Sequence, residues 1–170
     1  MAIGAGGVDL GTLQNAGAAP KLIRASKTFT GAANLGAVGS VPLFTTSGVV
    51  MLDYFGIRCT TTLADTVDGA ILDFGLTGNT TYFVNHGALD LDAVVAGTWY
   101  SSTNDGAVQV GAGRDLTGMN LSAPYVAISA NIVGTVGTQA VTSGVLEFYV
   151  LYRPLSAGAS LALGAGMVAI

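Results

Sequence analysis

Along residues 145–153 apolar and polar positions alternate: Leu146, Phe148, Val150 and Tyr152 share one parity, and Glu147 and Arg153 mark the other. A period of two sends successive side chains to opposite faces of a β-strand, so the even set predicts a core face. Residues 125–132 repeat the arrangement, with Val126, Ile128, Ala130 and Ile132 on one side and Ser129 and Asn131 on the other. Residues 71–76 do so again, with Leu72, Phe74 and Leu76 opposite Asp73. Residues 49–58 differ, because Val49, Met51, Phe55 and Ile57 on one parity and Val50, Leu52 and Tyr54 on the other are all apolar. Such a strand is expected between layers or under a partner subunit. Further strands are expected over 22–30, 41–45, 80–84 and 107–110, divided by Gly, Asn, Asp and Ser. Helical periodicity is almost absent. About eight or nine strands in one domain of this length predict an all-β fold, an antiparallel β-sandwich of jelly-roll or related Greek-key type.

The run Thr46-Ser47-Gly48-Val49-Val50 is echoed by Thr142-Ser143-Gly144-Val145-Leu146. The runs that these open differ in length by one residue, which inverts the facing of every later side chain, so a duplication would need a bulge in the first. Thr-Ser-Gly ahead of a strand is also ordinary turn chemistry.

Composition changes the picture from a lone domain to a subunit. Of 170 residues 51% are apolar, 9% are charged and 25 are glycine. Soluble domains carry about 25% charged residues, and a chain this poor in charge is expected to bury surface against other chains. We expect a homo-oligomer, with a trimer favoured. The ends are poorer still. Residues 1–20 and 157–170 consist mainly of Gly, Ala and small aliphatics, and are expected as an N-terminal arm and a C-terminal apolar arm around a sandwich domain at 21–156. Residues 155–170 are shorter than the ~20 apolar residues of a membrane-spanning helix, so no membrane partner is expected. The net charge of −4 leaves no basic stripe for a phosphate backbone, and no direct nucleic acid contact is expected.

Little in the chain has the spacing of reaction chemistry. His86 is the only histidine and lies between Asn85 and Gly87, a turn context with no nucleophile elbow elsewhere to supply a partner serine. Asp90 and Asp92, with Asp65, Asp68 and Asp73 upstream, suit solvated turns better than a calcium loop, whose fixed glycine and closing glutamate are missing. Glu147 is the only glutamate, which leaves no paired glutamates for glycoside hydrolysis. Cys59 sits in an apolar run and is expected as an inert buried thiol, in a chain made in a reducing cytoplasm. The glycine-rich runs 4–11 and 111–118 lack the Lys-Ser or Lys-Thr ending of a phosphate loop. Asn79-Thr80-Thr81 and Asn120-Leu121-Ser122 match the glycosylation sequon, without a secretion signal to give it meaning. Trp99 and Tyr100 beside Gly97 suit a core or interface, or a sugar-stacking platform. No catalytic, cofactor-binding or metal-binding residue is assigned, and no enzyme activity is expected.

Several runs resemble the small β-rich virion proteins of tailed bacteriophages that decorate capsids or form head fibres. They are Thr28-Phe29-Thr30-Gly31-Ala32-Ala33-Asn34-Leu35-Gly36-Ala37-Val38-Gly39, Leu43-Phe44-Thr45 running into Gly48-Val49-Val50, and Phe74-Gly75-Leu76-Thr77-Gly78-Asn79. Ala88-Leu89-Asp90-Leu91-Asp92-Ala93 to Trp99 and Ser143-Gly144-Val145-Leu146-Glu147-Phe148 with Arg153-Pro154-Leu155 continue the likeness, which spans about residues 21–156. The resemblance implies a virion structural protein, a subunit that decorates or cements a capsid, or sits on the tail. Its partners would be other virion proteins such as the major capsid protein. The apolar tail after Ser156 departs from the pattern. The alternative reading is a carbohydrate-binding β-sandwich module.

Overall fold

The structure is a computed structural model that describes residues 19–65, 69–84, 94–101 and 126–170. Among them lie eleven strands and no helix. They are β1 (Lys21–Thr28), β2 (Gly39–Ser47), β3 (Val50–Asp65), β4 (Ile71–Leu76), β5 (Asn79–Val84), β6 (Trp99–Ser101), β7 (Val126–Ile128), β8 (Ile132–Gly137), β9 (Val141–Pro154), β10 (Ser160–Leu163) and β11 (Met167–Ala169).

Two antiparallel sheets form the expected sandwich. The first runs β11-β1-β9-β3-β6 and the second β10-β2-β8-β4-β5. β7 shares the outer side of β3 with β6, pairing with Val50–Leu52 while β6 pairs with Gly56–Arg58. Residues predicted to face inward from β9 do so: Leu146, Phe148 and Val150 are fully buried, and Tyr152 nearly so. Phe148 is the hub of an aromatic cluster, with ring centroids 5.5 Å from Phe74, 6.3 Å from Phe44 and 6.4 Å from Phe55. Phe55 in turn stacks on Phe83 at 4.7 Å. Edge-to-face and offset rings from both sheets interlock here, which fixes how the layers sit on one another.

The two-faced apolar pattern of residues 49–58 has a local cause. Leu52 pairs with Tyr152 and Tyr54 with the adjacent Leu151, so Asp53 is an extra residue in a β-bulge. The bulge reverses parity once: Val50 and Leu52 point inward before it, and Phe55, Ile57 and Cys59 after it. Met51 and Tyr54 lie half-exposed on the other face, so this strand is not buried on both sides within the chain. The echo of Thr-Ser-Gly ends there. Gly48 turns between β2 and β3, whereas Gly144 lies within β9.

The single strand expected over 125–132 is two, in different sheets. Asn131 separates β7 from β8, and its side-chain oxygen accepts a hydrogen bond from the Thr46 amide at 2.9 Å while its carbonyl accepts from Thr77. An amide side chain that serves the backbone of distant segments competes with the ladder, and the chain crosses over at that point.

The tail beyond residue 156, expected as an arm, supplies an edge strand to each sheet. Pro154 ends β9, and the chain turns at Ser156–Ala159. β10 then pairs with β2, and β11 with β1. Ala159, Leu161 and Met167 join the core cluster. Between the two strands, Gly164 lies so close to β2 that an added Cβ would collide with the Pro42 carbonyl, and its amide donates to the Leu43 carbonyl at 2.8 Å. The small, uncharged residues of the tail thus cover the chain's own sheet edges. The 1–18 part of the N-terminal arm and the strand expected at 107–110 lie outside the described residues.

Candidate functional site

On the outer face of the first sheet, register gathers residues that are scattered in sequence. Arg58 of β3 lies opposite both Glu147 of β9 and Trp99 of β6, and Arg24 of β1 lies opposite Tyr149. The Arg24 guanidinium carbon sits 5.4 Å from the centroid of the Tyr149 ring, and that of Arg58 sits 5.6 Å from the Trp99 ring. Trp99 and Tyr149 are 5.2 Å apart with planes tilted by 35°. The Tyr149 hydroxyl donates to Glu147 Oε2 at 2.6 Å, and Arg58 Nη1 stands 3.7 Å from the same oxygen. Arg58 Nε is buried with no hydrogen-bond partner among the described residues. The ring of Tyr54 lies over Gly56, where an added Cβ would strike it. Beside this cluster Arg153 grips Asp53 with two nitrogens, each at 2.8 Å, a fork geometry that orders the bulge.

The other residues singled out by sequence are dispersed. Trp99 does not stand free as a sugar platform, since Tyr149 and Arg58 already pack on it; the side chain of Tyr100 is outside the description. Glu147 belongs to the cation and aromatic cluster. Asp65 accepts the Ala70 amide at 2.7 Å, just ahead of β4. Asp73 is half-buried on β4, in the other sheet. Asn79 opens β5 and its side-chain oxygen faces the Thr81 hydroxyl at 3.4 Å. His86, Asp68, Asp90, Asp92, Asn120 and both glycine-rich runs lie outside the described residues. Among the described residues no three His, Cys, Asp or Glu side chains stand together as metal ligands.

Two titratable groups lie in the interior. Cys59 has no exposure, and burial pushes its thiol up, against hydrogen bonds to backbone that favour the thiolate. Lys27 points inward from β1 with 2% exposure, into a cleft whose other lining includes Phe29, Val41, Leu43 and Phe74. Its ammonium donates to the Asn34 carbonyl, and burial holds its pKa below the usual lysine value. Sequence reasoning missed Lys27, although its parity with Ile23 and Ala25 on β1 marks it as inward-facing.

No protein-family model and no curated protein matches the chain. Its structural neighbours are phage capsid structures. The acid-stable capsid structure of Helicobacter pylori bacteriophage KHP30 matches with a TM-score of 0.48 at 13% identity, over 84% of this chain and 92% of that one. The capsid asymmetric unit of cyanophage Pam1 matches with a TM-score of 0.46 at 15% identity, over 90% and 93%.

Proposed function

We propose that the chain is a non-enzymatic structural subunit of a virion, a decorating or cementing protein that works as a homo-oligomer. One observation carries this reading, the outer face of the second sheet. Its five strands hold a single charged residue, Asp73, among the described residues. The polar groups displayed there are neutral, among them Thr45 and the Thr135 hydroxyl bonded to Ser40 at 3.0 Å. A surface that must stay in water is normally about 25–35% charged, while the centres of protein interfaces are depleted of charge. A sheet face with so little charge therefore suits permanent cover by a neighbouring subunit.

The winding supports the same reading. β1 lies beside β9 in one sheet and β2 beside β8 in the other, with β3-β6 and β4-β5 completing the two layers, an order that favours the jelly-roll reading, with β10 and β11 added at the edges. That architecture serves both capsid and lectin domains, so it narrows the choice without deciding it. The engaged Trp99 ring favours the structural role over the glycan-binding one. The test is mass spectrometry and image reconstruction of gradient-purified particles from cells that express the chain. Stoichiometric, ordered copies on the particle are expected. Protein confined to the soluble fraction, away from particles, overturns the reading.

A further inference from the structure

We infer that the outer face of the first sheet, centred on Arg24, Tyr149, Trp99 and Arg58, seats a second copy of this chain in a head-to-tail contact. The inference deepens the subunit reading by naming what one copy binds and where. Its first support is the chemistry of the face. Tyr, Trp and Arg are the residues that dominate binding energy at protein interfaces, because they combine large rigid area with directed polar contacts. Here two arginines lie against two rings, and exposed apolar side chains flank them on one side: Leu22 on β1, and Val168 and Ile170 at the neighbouring edge, each more than 40% exposed.

The second support is the distribution of charge. Five of the six basic residues lie on strands of the first sheet; Lys27 points inward, while Arg24, Arg58 and Arg153 lie on the outer face with two acids, Asp53 and Glu147, and Lys21 and Asp65 lie at strand ends. The rest of the sequence holds seven acids and Arg114. Arg153 and Asp53 neutralise each other, and Glu147 is shared by Arg58 and the Tyr149 hydroxyl. Arg24 has a ring and no carboxylate among the described residues, and Arg58 has to share its one carboxylate there with the Tyr149 hydroxyl. The face thus carries a small excess of positive charge on a protein whose net charge is −4, which complements the acidic remainder of an identical copy.

Charge also sets the symmetry. A two-fold contact would lay this patch on its own image, arginine against arginine. A head-to-tail contact avoids that repulsion, and such contacts close into rings when the rotation allows.

The experiment is sedimentation of the full chain from 50 to 500 mM salt, wild type against Arg24→Glu and the double change Arg24→Glu with Arg58→Glu. Circular dichroism confirms folding, and the exposed Arg24→Glu alone suffices if the double variant does not fold. Wild-type association is expected to weaken at least tenfold across the salt range, and Arg24→Glu to weaken it at least tenfold at low salt. A monomer under all conditions, or association indifferent to salt and to Arg24→Glu, overturns the inference. So does a wild type that stays monomeric yet binds polygalacturonate through Arg24, which would make the patch a glycan site. A monomer found in ordered copies on particles would sink this contact and leave the virion reading standing. A salt-sensitive oligomer absent from particles would do the reverse.

Discussion

Replacing Phe148 with alanine tests the centre of the sandwich. The side chain has no exposure and touches rings from both sheets, Phe55 in its own layer and Phe44 and Phe74 in the other. Truncating a buried phenylalanine costs about 3–5 kcal/mol, from lost transfer energy and the cavity left behind. Each aromatic pair adds about 0.5–1.5 kcal/mol beyond area, and β-strands that bond to two neighbours cannot easily shift to fill the hole, so the upper part of that range applies. For a domain of this size about 4 kcal/mol lowers the melting temperature by about 8–16 °C. Glu147→Ala is the internal control, one residue along and on the opposite face. It loses a hydrogen bond from Tyr149 and a long contact to Arg58, each partly in water, and should cost about 1 kcal/mol. Urea denaturation followed by tryptophan fluorescence and circular dichroism measures both. If Phe148→Ala proves milder than Glu147→Ala, the inward parity of β9 and the idea of a ring-locked core are refuted.

Removal of residues 157–170 should destabilise the fold by about 3–6 kcal/mol, since Leu161 and Met167 leave the core, and should promote aggregation through the bared edges of β1 and β2; a truncated chain as stable and soluble as the full one would show β10 and β11 to be dispensable. Lys27→Met should be no less stable than wild type at pH 7, because it removes a charge held out of water. With its folded pKa below the unfolded value of 10.5, Lys27 leaves the unfolded chain binding more protons between those two values, so it makes stability rise with pH there. That rise should be missing from Lys27→Met, read as the difference between the two proteins because the raised Cys59 thiol acts in the opposite sense; identical pH profiles from 8 to 10.5 would contradict it. Native Cys59 should resist thiol reagents at pH 8 and react on unfolding, and labelling at the rate of a free peptide thiol would contradict its burial.

How legible all this was in sequence depended on how local its cause is. The strand around Phe148 could be read with its facing because nothing interrupts its alternation. The Asp53 bulge could not, since an extra residue in β3 is defined only by the pairing of Leu52 and Tyr54 with consecutive residues of β9. The crossover at Asn131 was hidden for a similar reason: alternation continues through it, and the contact with Thr46 that stops the strand is long-range. Residues 157–170 have the composition of a free arm and equally of an edge strand, and only the approach of Gly164 to Pro42 distinguishes them. The Arg24, Arg58, Tyr149 and Trp99 face has no linear motif at all. Four strands contribute to it, and register alone assembles it.

The pairing of the first strands with the last governs the protein's biosynthesis. β1 bonds to β9 and β11, and β2 to β8 and β10, so each finds its partners more than a hundred residues later in the chain, or close to it. At about 5–20 residues per second, a ribosome leaves these early strands unpaired for roughly 5–20 s. No stable half-sandwich can form in that interval, because neither sheet has its central strand until β8 and β9 have been made. Folding of the sandwich therefore waits until β8 and β9 have left the ribosome. Until then the nascent chain displays unpaired strands that can stick to other copies, so the shielding of β1 and β2 during synthesis bears on yield alongside the stability of the finished fold.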